Sequence, residues 1–451
     1  MDYRQKYLKY KQKYLDLVSF AENIRGGNVV PDGTKLIDCF IASSHNTYLE
    51  GDQGFGRSNV DCYINFIKKY GGGCVEIDIL EVIEDKKTHE FDVRVSHGKS
   101  WAHNIYLDAI LKGIKSVLDN GTNIMYGPII ISVDNSGKIN KKGHHQQIWN
   151  MFTTILGDKF YTDFNDFKNI QIDKIKGKVL IKWKQNDECK CKNDVCPICD
   201  NSSEFMRPEI VTGEYWTHMN QSNSHSSSDL YSYPDLVNLN KIDDKKNNEI
   251  LKNIIKSRIQ FIRSYPSRYN VNSGNYEFMA SVINGTQMVA LNAQHHDKHT
   301  MFQMEFFRNG CLRKKPDWLL NITEMKNLPK KIYKITFTNL KTNSITDVHI
   351  NTYDTEELPD LIYNKSIEIN TIEGFELIYI KCSFGTQKYK GAITLTETQN
   401  KLYEIDNYEK NNCNWYTTEN MIKKFPMTLT SIIDKQNINI SIQLPPSKGF
   451  V

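Results

Sequence analysis

Leu36-Ile37-Asp38-Cys39-Phe40-Ile41-Ala42-Ser43-Ser44-His45-Asn46-Thr47-Tyr48-Leu49 is the stretch on which the reading of this chain turns. Residues 36–42 form an apolar run that predicts a strand, and a histidine and an asparagine follow it directly. In parallel α/β barrels the C-terminal ends of the strands carry the catalytic residues. His45 and Asn46 are therefore expected on a functional rim. Downstream, apolar runs at 74–80, 91–95, 128–133 and 178–183 predict further strands. They alternate with helix-like stretches near 60–70, 107–118 and 145–156, and a second set of strands follows at 260–265 and 288–294. Strand–helix alternation implies a parallel sheet, barrelled or doubly wound, and the strand count favours an eight-stranded barrel.

At 451 residues the chain is long enough for two or three domains, and 39% hydrophobic with 11% aromatic residues suits a sizeable core. A formal net charge of only +4 argues against a nucleic-acid binder. No apolar run reaches the roughly 18 residues of a membrane-spanning helix. Residues 1–25 are charged, unlike a secretory signal, so a cytoplasmic protein is expected. In that segment Tyr3, Tyr7, Tyr10, Tyr14, Leu17 and Ala21 form a stripe on a basic amphipathic helix, ended by Gly26-Gly27. It suits either packing on its own protein or contact with anionic lipid. Residues 331–451 alternate apolar and polar side chains with β-branched enrichment, which predicts a separate all-β sandwich. Cys189, Cys191, Cys196 and Cys199 crowd into one stretch, while the other six of the ten cysteines are scattered and read as reduced core thiols.

Glu76 and Asp78 stand two apart on a predicted strand, so their carboxylates share one face. Such neighbours repel unless a cation or a shared proton compensates. With Asp134 after a later strand and the Asn46 amide oxygen they make an all-oxygen set suited to Ca²⁺ or Mg²⁺. His45, and His97 after the strand at 91–95, add the histidine pair that phosphoryl chemistry uses.

Ser44-His45-Asn46-Thr47-Tyr48-Leu49, Gly51-Asp52-Gln53, Cys74-Val75-Glu76-Ile77-Asp78 and His97-Gly98 resemble the X region of eukaryotic-type phosphoinositide-specific phospholipase C. Gly285-Thr286-Gln287-Met288-Val289-Ala290-Leu291-Asn292-Ala293-Gln294, Phe306, Asn309-Gly310-Cys311 and Lys315-Pro316 resemble its Y region. The resemblance covers roughly residues 35–320. It implies a distorted TIM (β/α)8 barrel split by a linker, with X half at 34–184, X–Y linker at 185–240, Y half at 241–322 and a C2-like β-sandwich at 323–451, preceded by the N-terminal helix read from the residue pattern at 1–33. It also implies calcium-dependent cleavage of phosphatidylinositol 4,5-bisphosphate at a membrane surface, to diacylglycerol and inositol trisphosphate. Carried over by position, Asn46, Glu76, Asp78 and Asp134 hold calcium, and His45 stabilises the pentavalent phosphorus. His97 protonates the leaving oxygen, and Glu76 or Asp134 helps deprotonate the inositol 2-hydroxyl. Lys182, Lys184 and Arg263 match the family's headgroup phosphate ligands, and Tyr265 its inositol-packing aromatic.

The chain departs from the family pattern in places. Asp134 stands where glutamate is usual, one methylene shorter. Leu80-Glu81-Val82 replaces the Trp-Asp-Gly that normally follows the paired carboxylates, and Lys99-Ser100-Trp101 replaces the usual turn after His97-Gly98. Cys189, Cys191, Cys196 and Cys199 in the linker are suited to tetrahedral Zn²⁺, with disulfides or unligated thiols as the alternatives. Two rival functions stand beside the esterase reading. One is a catalytically impaired, lipid-binding relative. The other is a glycerophosphodiester phosphodiesterase, which has no use for Lys182, Lys184 and Arg263.

Overall fold

A computed structural model of the chain describes residues 30–51, 56–85, 87, 91–96, 105–120, 125–135, 144–161, 169–183, 216–221, 254–255, 257–259, 261–266, 274–321, 329–337, 345–351, 366–384, 387–395, 399–401, 403–404, 423–431 and 437–444. The N-terminal helix, His97, Lys184 and the cluster Cys189, Cys191, Cys196 and Cys199 lie outside the described residues.

The opening stretch forms not one strand but three pieces. Leu36–Asp38 is a 3-10 turn, followed by β1 (Cys39–Ile41) and β2 (Ser43–His45). β2 belongs to a nine-stranded sheet with β3 (Gly73–Glu84), β4 (Phe91–Val95), β5 (Ile129–Asn135), β6 (Val179–Trp183), β7 (Trp216–Gln221), β8 (Phe261–Pro266), β9 (Met288–Asn292) and the short strand Ile105–Tyr106. The parallel run reads β7-β8-β9-β2-β3-β5-β6 in space. Strands buried on both faces are near-continuously apolar, as in Ile129-Ile130-Ile131 and Met288-Val289-Ala290-Leu291. β2, first in sequence, thus lies between the last strand of the later half and the second strand of the earlier half. β6 and β7 are the two edges among the described residues, so the run is an open barrel-like sheet whose gap falls at the linker. β7 departs from the sequence reading, which leaves 185–240 as linker. Its Trp-Thr-His-Met-Asn-Gln lacks the apolar density that marks a buried strand.

Between β2 and β3 runs α1 (Val60–Tyr70). Asn59 caps it by accepting the Asp61 N–H at 2.9 Å, and Tyr63, Phe66, Ile67 and Tyr70 fill its buried face. Gly71 ends it in the left-handed region, and Gly72 and Gly73 also have positive φ. A Cβ on Gly73 would come within 2.6 Å of the Ala42 carbonyl oxygen. Only glycine lets β3 start flush against the β1–β2 junction. α2 (Leu107–Asn120) and α3 (His144–Leu156) follow. In the later half come α4 (Phe278–Ile283) and α5 (Lys298–Phe306). From α5 the Gln303 amide donates to the carbonyls of Ser43 (2.8 Å) and Val289 (2.9 Å), tying the two halves together beneath the β2–β9 pair.

The C-terminal region is all β. One sheet has five strands, including Lys330–Phe337 and Ser366–Ile372, and another has four, including Leu377–Phe384 and Gln387–Thr394. It shares a core with the α/β part. Phe375 lies 5.8 Å from Phe40 and 5.9 Å from Phe306, centroid to centroid. The Trp318 indole donates to Glu373 O, and Arg313 donates to Gly374 O, each at 2.9 Å. Cys39, Cys74 and Cys311 are free buried thiols, as expected. Cys62 differs, being disulfide-bonded; which thiols the fold brings within bonding distance is not a matter of sequence spacing.

Candidate active site

Parallel register assembles the site. Glu76 on β3 lies beside Ser132 on β5, which lies beside Lys182 on β6; one step on, Asp78 lies beside Asp134. Alternation keeps each row's side chains on one face. One oxygen from each of Glu76, Asp78 and Asp134 falls within 4.8 Å of the others. On the neighbouring strand His45 ends β2. Asn46 follows with φ 46°, the only positive φ outside glycine among the described residues. That uncommon conformation turns the Asn46 N–H onto Glu76 Oε2 at 2.8 Å.

Glu76 is 4% exposed and is gripped from three sides. Its Oε1 pairs with Arg263 Nη2 at 3.0 Å, Oε2 accepts the Asn46 N–H, and His45 Nε2 stands 3.7 Å away. Burial pushes the carboxyl up, but the Arg263 guanidinium, His45 and the Asn46 N–H together outweigh it and hold the group at about 2. Arg263 is itself buried, and its Nε has no hydrogen-bond partner among the described residues. Its guanidinium also lies 5.6 Å from the Tyr265 ring centroid. The Tyr265 and His45 rings are parallel within 10° at 6.3 Å. Lys182 is fully buried and donates to Ser132 Oγ at 3.2 Å. Burial, then the Arg263 charge, push its ammonium down to about 7, against the opposing pull of Glu76 and Asp134.

The donors fit a hard divalent cation such as calcium. They are oxygens of three carboxylates, one from each within 4.8 Å of the others. The buried Asn46 amide adds a further oxygen, Oδ1, 3.2 Å from the Tyr48 hydroxyl. Tyr48 also donates to Asp78 Oδ2 at 2.5 Å, so one phenol bridges two of the candidate ligands.

Of the residues singled out in the sequence, His45, Asn46, Glu76, Asp78, Asp134, Lys182, Arg263 and Tyr265 converge here. His97 and Lys184 lie outside the described residues. Tyr48, Ser132 and Asn292 belong to the site and carried no assigned role. Tyr48 reads as a core aromatic, and only its hydroxyl's partners reveal more. Asn292 accepts from His45 Nδ1 at 2.8 Å; it lies inside the Y-like motif, but nothing in the sequence says that β9 pairs with β2. The grouping brings two buried cations, a histidine and three carboxylates together at one end of the sheet.

Residues 34–185 match the family model for the phosphatidylinositol-specific phospholipase C X domain, and residues 211–316 match that for the Y domain. The Y match begins before β7, which accounts for a strand inside the expected linker. Phosphoinositide phospholipase C 3 of Arabidopsis thaliana is 25% identical over 317 residues, 62% of this chain and 53% of that protein. The human 1-phosphatidylinositol 4,5-bisphosphate phosphodiesterase delta-3 is 23% identical over 290 residues, 57% of this chain and 35% of that protein. The chain therefore spans about half the length of the Arabidopsis relative and less of the human one. In fold it is similar to the crystal structure of L. pealei PLC21, with a TM-score of 0.56 at 14% identity over 94% of this chain and 57% of that one. No helix among the described residues is long and apolar enough to cross a membrane. Two family models, in order and flanking the gap in the sheet, account for both halves of the site, and the chain belongs to the phosphatidylinositol-specific phospholipase C family.

Proposed function

We propose that this chain is a calcium-dependent phosphoinositide phospholipase C. It cleaves phosphatidylinositol 4,5-bisphosphate or a related phosphoinositide to diacylglycerol and an inositol phosphate, through a cyclic phosphodiester. The observation that carries the reading is the carboxylate group Glu76, Asp78 and Asp134 beside His45 and two buried cations, Arg263 and Lys182. A plain phosphodiesterase has no need to bury cations there; a substrate with ring phosphates does. In this reading the inositol 2-hydroxyl attacks its own neighbouring phosphorus, so proximity is built into the substrate. Glu76 or Asp134 takes the hydroxyl proton, and His45, as the imidazolium with its Nδ1–H on Asn292, donates from Nε2 to a phosphoryl oxygen. His97 gives a proton to the diacylglycerol oxygen as the P–O bond breaks. Water then opens the cyclic ester. Asn46, Glu76, Asp78 and Asp134 would hold calcium, which would supply positive charge to favour the ionised 2-hydroxyl and offset charge on the phosphorus centre. Lys182, Lys184 and Arg263 bind the ring phosphates, and Tyr265 packs on the ring. We further read the open sheet as the described part of a closed TIM barrel, the C-terminal sheets as a C2-like sandwich, and the protein as cytoplasmic with peripheral membrane association.

The test is a mixed-micelle assay with phosphatidylinositol, its monophosphate and its bisphosphate. Water-soluble inositol phosphates should appear only with calcium supplied. Equal release in excess chelator overturns the calcium assignment. Lipid binding without release, at any calcium level, supports the impaired lipid-binding alternative. Wild-type activity in His97→Ala overturns the general-acid role, and an unchanged lipid preference in Lys182→Ala overturns the headgroup role.

A further inference from the structure

Strand register puts Asn292, the last residue of β9, beside His45, the last residue of β2. One comes from the Y half and the other from the X half. Both are buried, and His45 Nδ1 lies 2.8 Å from Asn292 Oδ1. Asn292 is itself fixed. Its N–H donates to Asn275 Oδ1 at 2.7 Å, and its carbonyl accepts from Asn275 Nδ2 at 3.2 Å. Its own Nδ2 faces the Gly274 carbonyl at 3.4 Å. A carbonyl oxygen can only accept, so it selects the amide orientation with Nδ2 towards Gly274 and Oδ1 towards His45. Oδ1 in turn can only accept. The proton of a neutral His45 must therefore sit on Nδ1, and Nε2 is the nitrogen left to face Glu76 and the phosphoryl group.

We propose that Asn292 is a positioning residue: it fixes the tautomer and ring plane of His45 across the X–Y junction, so that the Y half completes a group supplied by the X half. The histidine's second nitrogen generally decides which nitrogen works. Here Asn275 and the Gly274 carbonyl hold the acceptor, and the parallel stack of Tyr265 on the imidazole supports the same ring plane. An amide suits the task better than a carboxylate, because Glu76 already brings a negative charge to the other side of the ring.

This inference rests on the proposed function for its kinetic arm alone. Tautomers are read by long-range ¹⁵N–¹H correlation on histidine-labelled protein, with the His45 signals assigned by loss in His45→Gln, above about pH 8 where an ordinary imidazole is neutral. Wild-type protein should show His45 as the Nδ1–H form. Asn292→Leu should shift it to the Nε2–H form or a mixture, and Asn292→Asp, which keeps the acceptor, should restore Nδ1–H. In the micelle assay Asn292→Leu should lower kcat about 10- to 100-fold, the scale of loss when a metal-ligating histidine loses its orienting partner. KM and the calcium midpoint should stay within about twofold, and Asn292→Asp should regain most of the kcat loss. If Asn292→Leu fails to fold, the wild-type and Asn292→Asp spectra still decide. An Nε2–H signature in wild type, or an unchanged tautomer in folded Asn292→Leu, overturns the proposal. Absence of lipid cleavage by wild type, with the tautomers as expected, overturns only the functional reading.

Discussion

Arg263→Met removes the cation that holds Glu76 ionised in a buried site. The gap between about 2 in the folded protein and about 4.3 in an unfolded chain, about 3 kcal/mol, is the net of burial opposed by Arg263, the largest favourable contribution, and by His45, the Asn46 N–H and Lys182. That agrees with the roughly 3–5 kcal/mol typical when one member of a buried pair is removed and the other stays. The folded value is depressed, so this stability is fully present above about pH 4.3 and is lost as pH falls through about 2, with about half remaining at pH 3. Urea denaturation of metal-free protein should therefore show Arg263→Met less stable by about 3 kcal/mol at pH 7 and by clearly less at pH 3. Glu76→Gln removes the charge that needs a partner. A double-mutant cycle over Glu76→Gln and Arg263→Met should return a coupling of about 2–3 kcal/mol. A cost under about 1 kcal/mol at pH 7, or no coupling in the cycle, would refute the view that Glu76 is kept ionised chiefly by Arg263.

Two further outcomes are expected. Tyr48→Phe keeps the ring in the core but frees Asn46 Oδ1 and Asp78 Oδ2 from their common tether. Calorimetric calcium titration should show affinity falling about 10-fold, with a stability loss of about 1.5–3 kcal/mol in metal-free protein. Lys315, 1% exposed and donating to Ser257 O at 2.8 Å, has its ammonium pushed down to about 7, chiefly by burial. Its folded value lies below the unfolded value of about 10.4. The unfolded chain thus binds more protons above pH 7, and stability rises with pH there. Between pH 7 and about 8.5 wild type should gain stability relative to Lys315→Met, by up to about 2 kcal/mol. Parallel melting curves of the two proteins check this, since the buried thiols and Lys182 contribute equally to both.

Much of this protein is written in local pattern. Apolar runs of strand length predict β3, β5, β6 and β9, and alternation within them gives Glu76 with Asp78 one face. A helix-like stretch near 60–70 predicts α1. Spacing and residue type also single out the oxygen set and the two histidines, because hard ligands and proton carriers are recognisable by chemistry alone. Pairing between distant segments was not legible. β7 has a polar sequence and becomes a strand by joining the edge of β8, an interaction no local window contains. The same limit hid the partners. The Arg263 grip on Glu76, the Tyr48 bridge and the Asn292 contact to His45 join residues brought together by strand order and register, at sequence separations that carry no periodic signal. Composition and spacing named the groups that can do phosphoryl chemistry. Tertiary structure decided which nitrogen of His45 meets Asn292 and which faces Glu76, which cation pairs with Glu76, and that both halves of the chain must meet before the site exists, because hydrogen bonds and charge pairs depend on distance in space.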